Sequence, residues 1–138
     1  MAKKKGNFRE IILKSGTNIL LGKDAKSNEE LVKEFKGKEN IILHTAEPGS
    51  PFCVIKNLNP LKKDIDASGA ICASYSQNWR DNRKDVIVHV FDGKKVFKRK
   101  GMKIGTFGVR KFKKVKVKKK DILKFIKMKI KKKEILEF

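Results

Sequence analysis

The apolar residues of this chain come in short runs: IIL at 11–13, ILL at 19–21, IIL at 41–43, FCVI at 52–55 and VIV at 86–88. Each is closed within a residue or two by a polar or turn-forming residue. Runs of this length suit β-strands that are buried on both faces or covered by a helix, and none approaches the roughly 18 residues that a bilayer span needs. With 138 residues the chain fits a single domain, burying about two-thirds of its unfolded surface around one core. The runs therefore have to meet in one sheet.

What lies between the runs fixes the other elements. Ile11 to Leu13 and Ile19 to Leu21 flank the polar turn KSGTN, the pattern of a β-hairpin. Residues 24–37 predict a helix: Asp24 or Ser27 can cap it, Glu29 and Glu30 suit its first turn, Leu31, Val32 and Phe35 share a face, and Gly37 stops it. Residues 59–82 read as one longer helix, with Ile65, Ser68, Cys72, Tyr75 and Trp79 along one face and small residues beside them for close approach to a sheet. VIVHVF, the turn signal DGK and KVFKRK read as a second hairpin. Val115 and Val117 alternate with lysines, as in a strand with one buried face. Asp121 can cap a last helix carrying Ile122, Phe125, Ile126 and Ile130 on one face. The expected fold is α+β: one mostly antiparallel sheet with two or three packed helices. The expected limits are a basic tail at 1–7, a body at 8–120 and a basic amphipathic helix at 121–138. Cys53 and Cys72 sit inside apolar patterns with no CxxC spacing, as reduced core cysteines do.

Charge narrows the partner. Residues 1–93 carry 16 basic and 12 acidic side chains, a net of +4, whereas residues 94–138 carry 20 and 3, a net of +17. Such a field attracts polyanions and displaces counterions from a phosphate backbone, so nucleic acid is the expected partner, with an acidic protein tail, DNA or an anionic surface as the alternatives. Glu is not raised in step with Lys, unlike the composition of high-temperature proteins. The positive start MAKKKGNF is followed by only three consecutive apolar residues, too few for a signal peptide, so a cytoplasmic, non-membrane protein is expected.

Two stretches carry candidate chemistry. In HTAEPGSPF, residues 44–52, His44, Glu47 and Ser50, with His89 as a second base, are the residue types of a hydrolase. A nucleophilic serine, however, needs a strained elbow with a helix behind it. PGSPF runs into a strand instead, because Pro51 biases Ser50 to extended backbone. No P-loop, metal-ligand spacing or carboxylate cluster accompanies it, so no catalytic residue, metal or cofactor is assigned. The second stretch, KRKGMKIGTFGVRKFKK, sets Lys98, Arg99, Lys100, Lys103, Arg110 and Lys111 around Gly101, Gly105 and Gly108, a flexible backbone that can approach phosphates. Phe107 within it suits a base stack or a core position equally.

Taken in order, NILLGKDAKSNEELV, ILHTAEPGSPFCVIKN, ASGAICASYSQNWRDN followed by VIVHVF, and KVFKRKGMKIGTFGV resemble the NFACT-R domain, the RNA-binding domain of NFACT ribosome-quality-control proteins. The resemblance covers about residues 8–120. Gly22, Lys23, Asn28, Glu29 or Glu30 and Leu31 match its first motif; His44, Pro48, Gly49 and Ser50 its second; Ala70, Ala73, Tyr75, Ser76 and Arg80 its third; Lys98, Lys100, Gly101 and Gly105 its fourth. Two positions depart: the family's tryptophan is aliphatic here, at about Ile42, and the histidine after Pro-Gly-Ser is Pro51. The resemblance implies a non-catalytic module that binds structured RNA, rRNA or tRNA on the large ribosomal subunit. It also implies a stand-alone version, without the neighbouring domains of larger relatives. Lys23, His44, Ser50, Arg80 and the six cations of the glycine-rich stretch are the expected RNA contacts.

Overall fold

The polar turn at 14–17, with Gly16 at φ +91°, folds β1 (Phe8–Ile12) back onto β2 (Asn18–Gly22), placing Ile11 opposite Ile19. In this computed structural model, which describes residues 8–136 and their side chains as far as 129, the hairpin forms one edge of a six-stranded sheet. β3 (Ile41–Thr45), β4 (Cys53–Ile55), β5 (Val86–Asp92) and β8 (Lys113–Val117) complete it in the order β1-β2-β4-β3-β5-β8, every pair antiparallel. The expected tail at 1–7 and the Ile130 side chain lie outside the described residues.

Alternation along the strands gives the sheet two faces. Ile19, Leu21, Leu43, Cys53, Ile55, Val86, Val88 and Val117 point to one face, under α2 (Lys62–Ser74), α3 (Gln77–Asn82) and α4 (Lys119–Leu136), which bring Ile71, Cys72, Trp79 and Ile122 into the same core. Leu20, Ile42, Val54 and Phe91 point to the other face, under α1 (Ala25–Phe35) and a two-stranded ribbon of β6 (Val96–Phe97) and β7 (Gly108–Val109). Both cysteines are buried and unpaired, and burial pushes the Cys72 thiol up to about 12.

Three expectations change. The helix over 59–82 is two helices, because Ser76 takes the Trp79 amide at 3.1 Å as a new N-cap while its hydroxyl donates to the Ala73 carbonyl at 2.7 Å. That break gives four α-helices among the described residues. The second hairpin does not form: Asp92 accepts the Lys94 amide at 2.9 Å and starts a 3-10 turn, Gly93–Lys95, after which β6 leaves the sheet to pair with β7. Asp121 lies inside the first turn of α4 rather than capping it, and Asp85 accepts the Lys119 amide at 2.8 Å.

Candidate nucleic-acid interface

α1 packs on β2 and β4 and leaves the same sheet face open over part of β3 and β5. The opening is a groove of about 860 Å³. On its floor His44 and His89 stand opposite one another across the β3–β5 ladder. The His44 ring lies 4.3 Å from that of Phe52, Phe52 meets Phe107 edge-on at 5.8 Å, and His89 stacks on Phe112 at 3.9 Å. Arg9, Lys23 and Arg80 also line it, as do Ile104 to Phe107 from the glycine-rich stretch. The aromatic floor and basic rim therefore come from residues more than 90 positions apart in the chain.

Both histidines are held neutral. Burial lowers the pKa of His44; the Thr45 and Ser50 backbone oppose this, and His89 adds to it. Burial lowers His89 as well, reinforced by Lys114, its partner across the β5–β8 ladder. His44 Nδ1 donates to the Thr45 carbonyl at 2.8 Å, which fixes its tautomer.

Ser50, expected as an RNA contact, is buried, with its hydroxyl bound to backbone. Its Oγ accepts the Thr45 amide at 3.1 Å and donates to the Pro51 carbonyl at 3.1 Å. Gly49, at φ +91°, gives its carbonyl to the Gln77 amide at 2.9 Å, so the Pro-Gly-Ser turn ties the β3–β4 corner to the start of α3. The hydrolase relay is not assembled: the Ser50 and His44 protons go to backbone carbonyls, and the Glu47 side chain is exposed.

Lys98 is likewise committed. Its Nζ donates to Glu29 Oε1 at 2.9 Å and to the Lys103 and Thr106 carbonyls at 2.7 Å each, and it lies 4.6 Å over the Phe107 ring. Glu29, expected to favour the helix dipole, instead also accepts the Gly105 amide at 2.7 Å. Burial raises its carboxyl, but these bonds outweigh burial and leave it below the usual range. Gly105 is required at φ +79°, because a Cβ there would sit 2.9 Å from Ala25 backbone. Together these contacts dock the loop against α1 as one wall of the groove. Arg99 and Arg110 each lie 4.8 Å over the Phe97 ring, away from the groove lining, while Lys100, Lys103 and Lys111 are exposed.

Of the expected contacts, the structure thus brings Lys23, His44, Ser50 and Arg80 to one groove and places the six other cations on and beyond its loop wall. Sequence reasoning missed Arg9, Phe52 and Phe112. Phe112 had a usable signal: it shares the outward phase of the β8 segment with Lys114 and Lys116, where an apolar residue has no core to enter. The first motif is largely architectural, since Asn28 Oδ1 accepts the Phe52 amide at 3.0 Å and a Cβ on Gly22 would fall 1.9 Å from that oxygen.

An open sheet face with clustered aromatic rings on its floor and cations on its rim is the arrangement of domains that hold RNA by stacking and phosphate contacts. Residues 7–111 match the NFACT protein RNA binding domain, and the chain belongs to that family. It is 31% identical over 71 residues to the archaeal Rqc2 homolog of Methanocaldococcus jannaschii, a match covering 48% of this chain and 10% of that protein. It also resembles the C-terminal part of the fibronectin/fibrinogen-binding protein of Streptococcus suis, with a TM-score of 0.74 and 25% identity over 84% of this chain and 47% of that one. The chain therefore spans about half of the streptococcal structure and a tenth of the archaeal protein.

Proposed function

We propose that this chain binds structured RNA, rRNA or tRNA on the large ribosomal subunit, as a non-catalytic module of ribosome-associated quality control in the cytoplasm. The observation that carries the reading is the groove left open by α1, where a cluster of aromatic rings shares one lining with Arg9, Lys23 and Arg80. The family supports RNA as the partner, and the archaeal relative's description as an Rqc2 homolog supports the quality-control setting. Phosphates meet Lys23 and Arg80 at the rim and the exposed Lys100, Lys103, Arg110 and Lys111 on the loop side. Lys98 contributes by holding that loop in place. No described helix is long and apolar enough to cross a membrane.

Crosslinking in cells followed by RNA sequencing, with gradient sedimentation, tests the proposal. Crosslinks to rRNA or tRNA and cosedimentation with the large subunit are expected. Complexes that survive nuclease would instead indicate a protein-interaction adaptor. Displacement from tRNA by duplex DNA or anionic vesicles would indicate a general polyanion binder.

A further inference from the structure

Two of the large apolar side chains that stay exposed, Ile104 at 60% and Phe112 at 40%, line this same groove. Phe112 has one ring face on His89 and is otherwise held by none of the buried core clusters. Phosphate binding alone gives no reason for an uncovered ring and an uncovered isoleucine at the mouth of a cationic groove. The ligand that fits has a flat apolar part and a negative charge beside it. The one acidic residue among the described lining residues, Asp24, accepts the Ser27 amide at 2.8 Å and is outnumbered by Arg9, Lys23 and Arg80, so the rim is net positive. An acidic peptide would satisfy the cations but not the stacked rings. A duplex would satisfy the cations, but its stacked and paired bases cannot reach the floor.

We infer that the groove captures a single unpaired nucleobase of the bound RNA, stacked on Phe112 at the mouth, with its flanking phosphates on Lys23 and Arg80. The inference rests on the RNA-binding reading above and narrows it: the preferred RNA is one with a bulged or looped-out nucleotide. About 860 Å³ lies within the roughly 300–1,000 Å³ range of clefts that enclose small ligands, ample for one base and its sugar. Neutral histidines suit such a floor, because they stack without adding charge beneath the base.

The experiment compares two RNA hairpins at one salt concentration, one fully paired and one carrying a single bulged 2-aminopurine. The bulged hairpin is expected to bind about tenfold more tightly, the scale of one base–aromatic stack, and its fluorescence to change on binding. Phe112→Ala and Phe112→Leu are expected to remove the preference and the fluorescence change, and Phe112→Tyr to retain both. Phe112 is exposed, so these variants are expected to fold. Equal affinity for the two hairpins, or a Phe112→Ala variant that keeps the preference, overturns the base pocket and leaves RNA binding standing. Failure to bind either hairpin overturns both.

Discussion

Lys98 carries its charge inward. Its side chain is 20% exposed, and its three donors go to the Glu29 carboxylate and two loop carbonyls. Lys98→Met is therefore expected to lower stability by about 1–2 kcal/mol and to speed amide exchange at Gly105, with RNA affinity falling because the wall loosens. Lys100→Met, at an exposed position, is expected to spare both stability and exchange. Urea melts and hydrogen exchange separate the two. No spacing rule distinguishes Lys98 from its neighbours in KRKGMK: what singles it out is Glu29, 69 residues earlier, reached only when the loop folds over α1. His44 was legible as a strand-end residue, but its neutrality follows from burial beside His89. Because both histidines have pKa values below the ordinary 6.5 in the folded state, the unfolded chain takes up more protons as pH drops. Stability is expected to be full above that value, to decline as pH falls below it, and to level off below the folded-state pKa values. His44→Gln, if it folds, should show a shallower decline in thermal melts between about pH 7 and pH 5.

At the scale of elements, periodicity located the strands and α1, since burial of a strand or helix face is written locally. It did not locate the path after β5. The dipeptide Asp92-Gly93 signals a hairpin turn, yet the same aspartate starts a 3-10 turn whose glycine lies against the end of α1. Gly93 accepts the Gly37 amide on its carbonyl at 2.8 Å and donates its own amide to the Asn40 carbonyl at 3.1 Å. A Cβ at 93 would fall 2.0 Å from the Phe35 carbonyl oxygen, a backbone atom that cannot rotate away. Gly93→Ala is expected to cost about 2–3 kcal/mol and to loosen the β6–β7 ribbon with it, read as a lower melting temperature and lost amide protection at Val96. The helix over 59–82 failed for a related reason: Ser76 satisfies helical periodicity, and only its competing bond to the Trp79 amide makes it a cap.

For the whole molecule, the question is whether a net charge of +21 acts as a diffuse cloud or through one face. The sheet gives the answer a geometry. One face is closed by α2, α3 and α4, whereas the other is only partly covered by α1 and the ribbon and carries the aromatic floor with Lys114 at its margin. If binding is general polyanion attraction, position is irrelevant and only the charge total matters. If the open face is the interface, removing cations there reduces the number of phosphates neutralised, and with it the salt dependence. Two charge-matched variants decide between these: Arg80→Gln, at a residue that lines the groove from α3, with Lys114→Gln at the open face, and Lys62→Gln with Lys63→Gln on α2, each removing two positive charges and taking +21 to +19. The wild type, contacting about six phosphates, is expected to show log affinity falling against log salt with a slope of about −4 to −5. The groove pair is expected to make that slope shallower by about 1 to 2 and to weaken binding at every salt concentration, while the α2 pair leaves both nearly unchanged. Equal losses from the two pairs would mean that the charge works as a cloud and that the groove does not organise the interface.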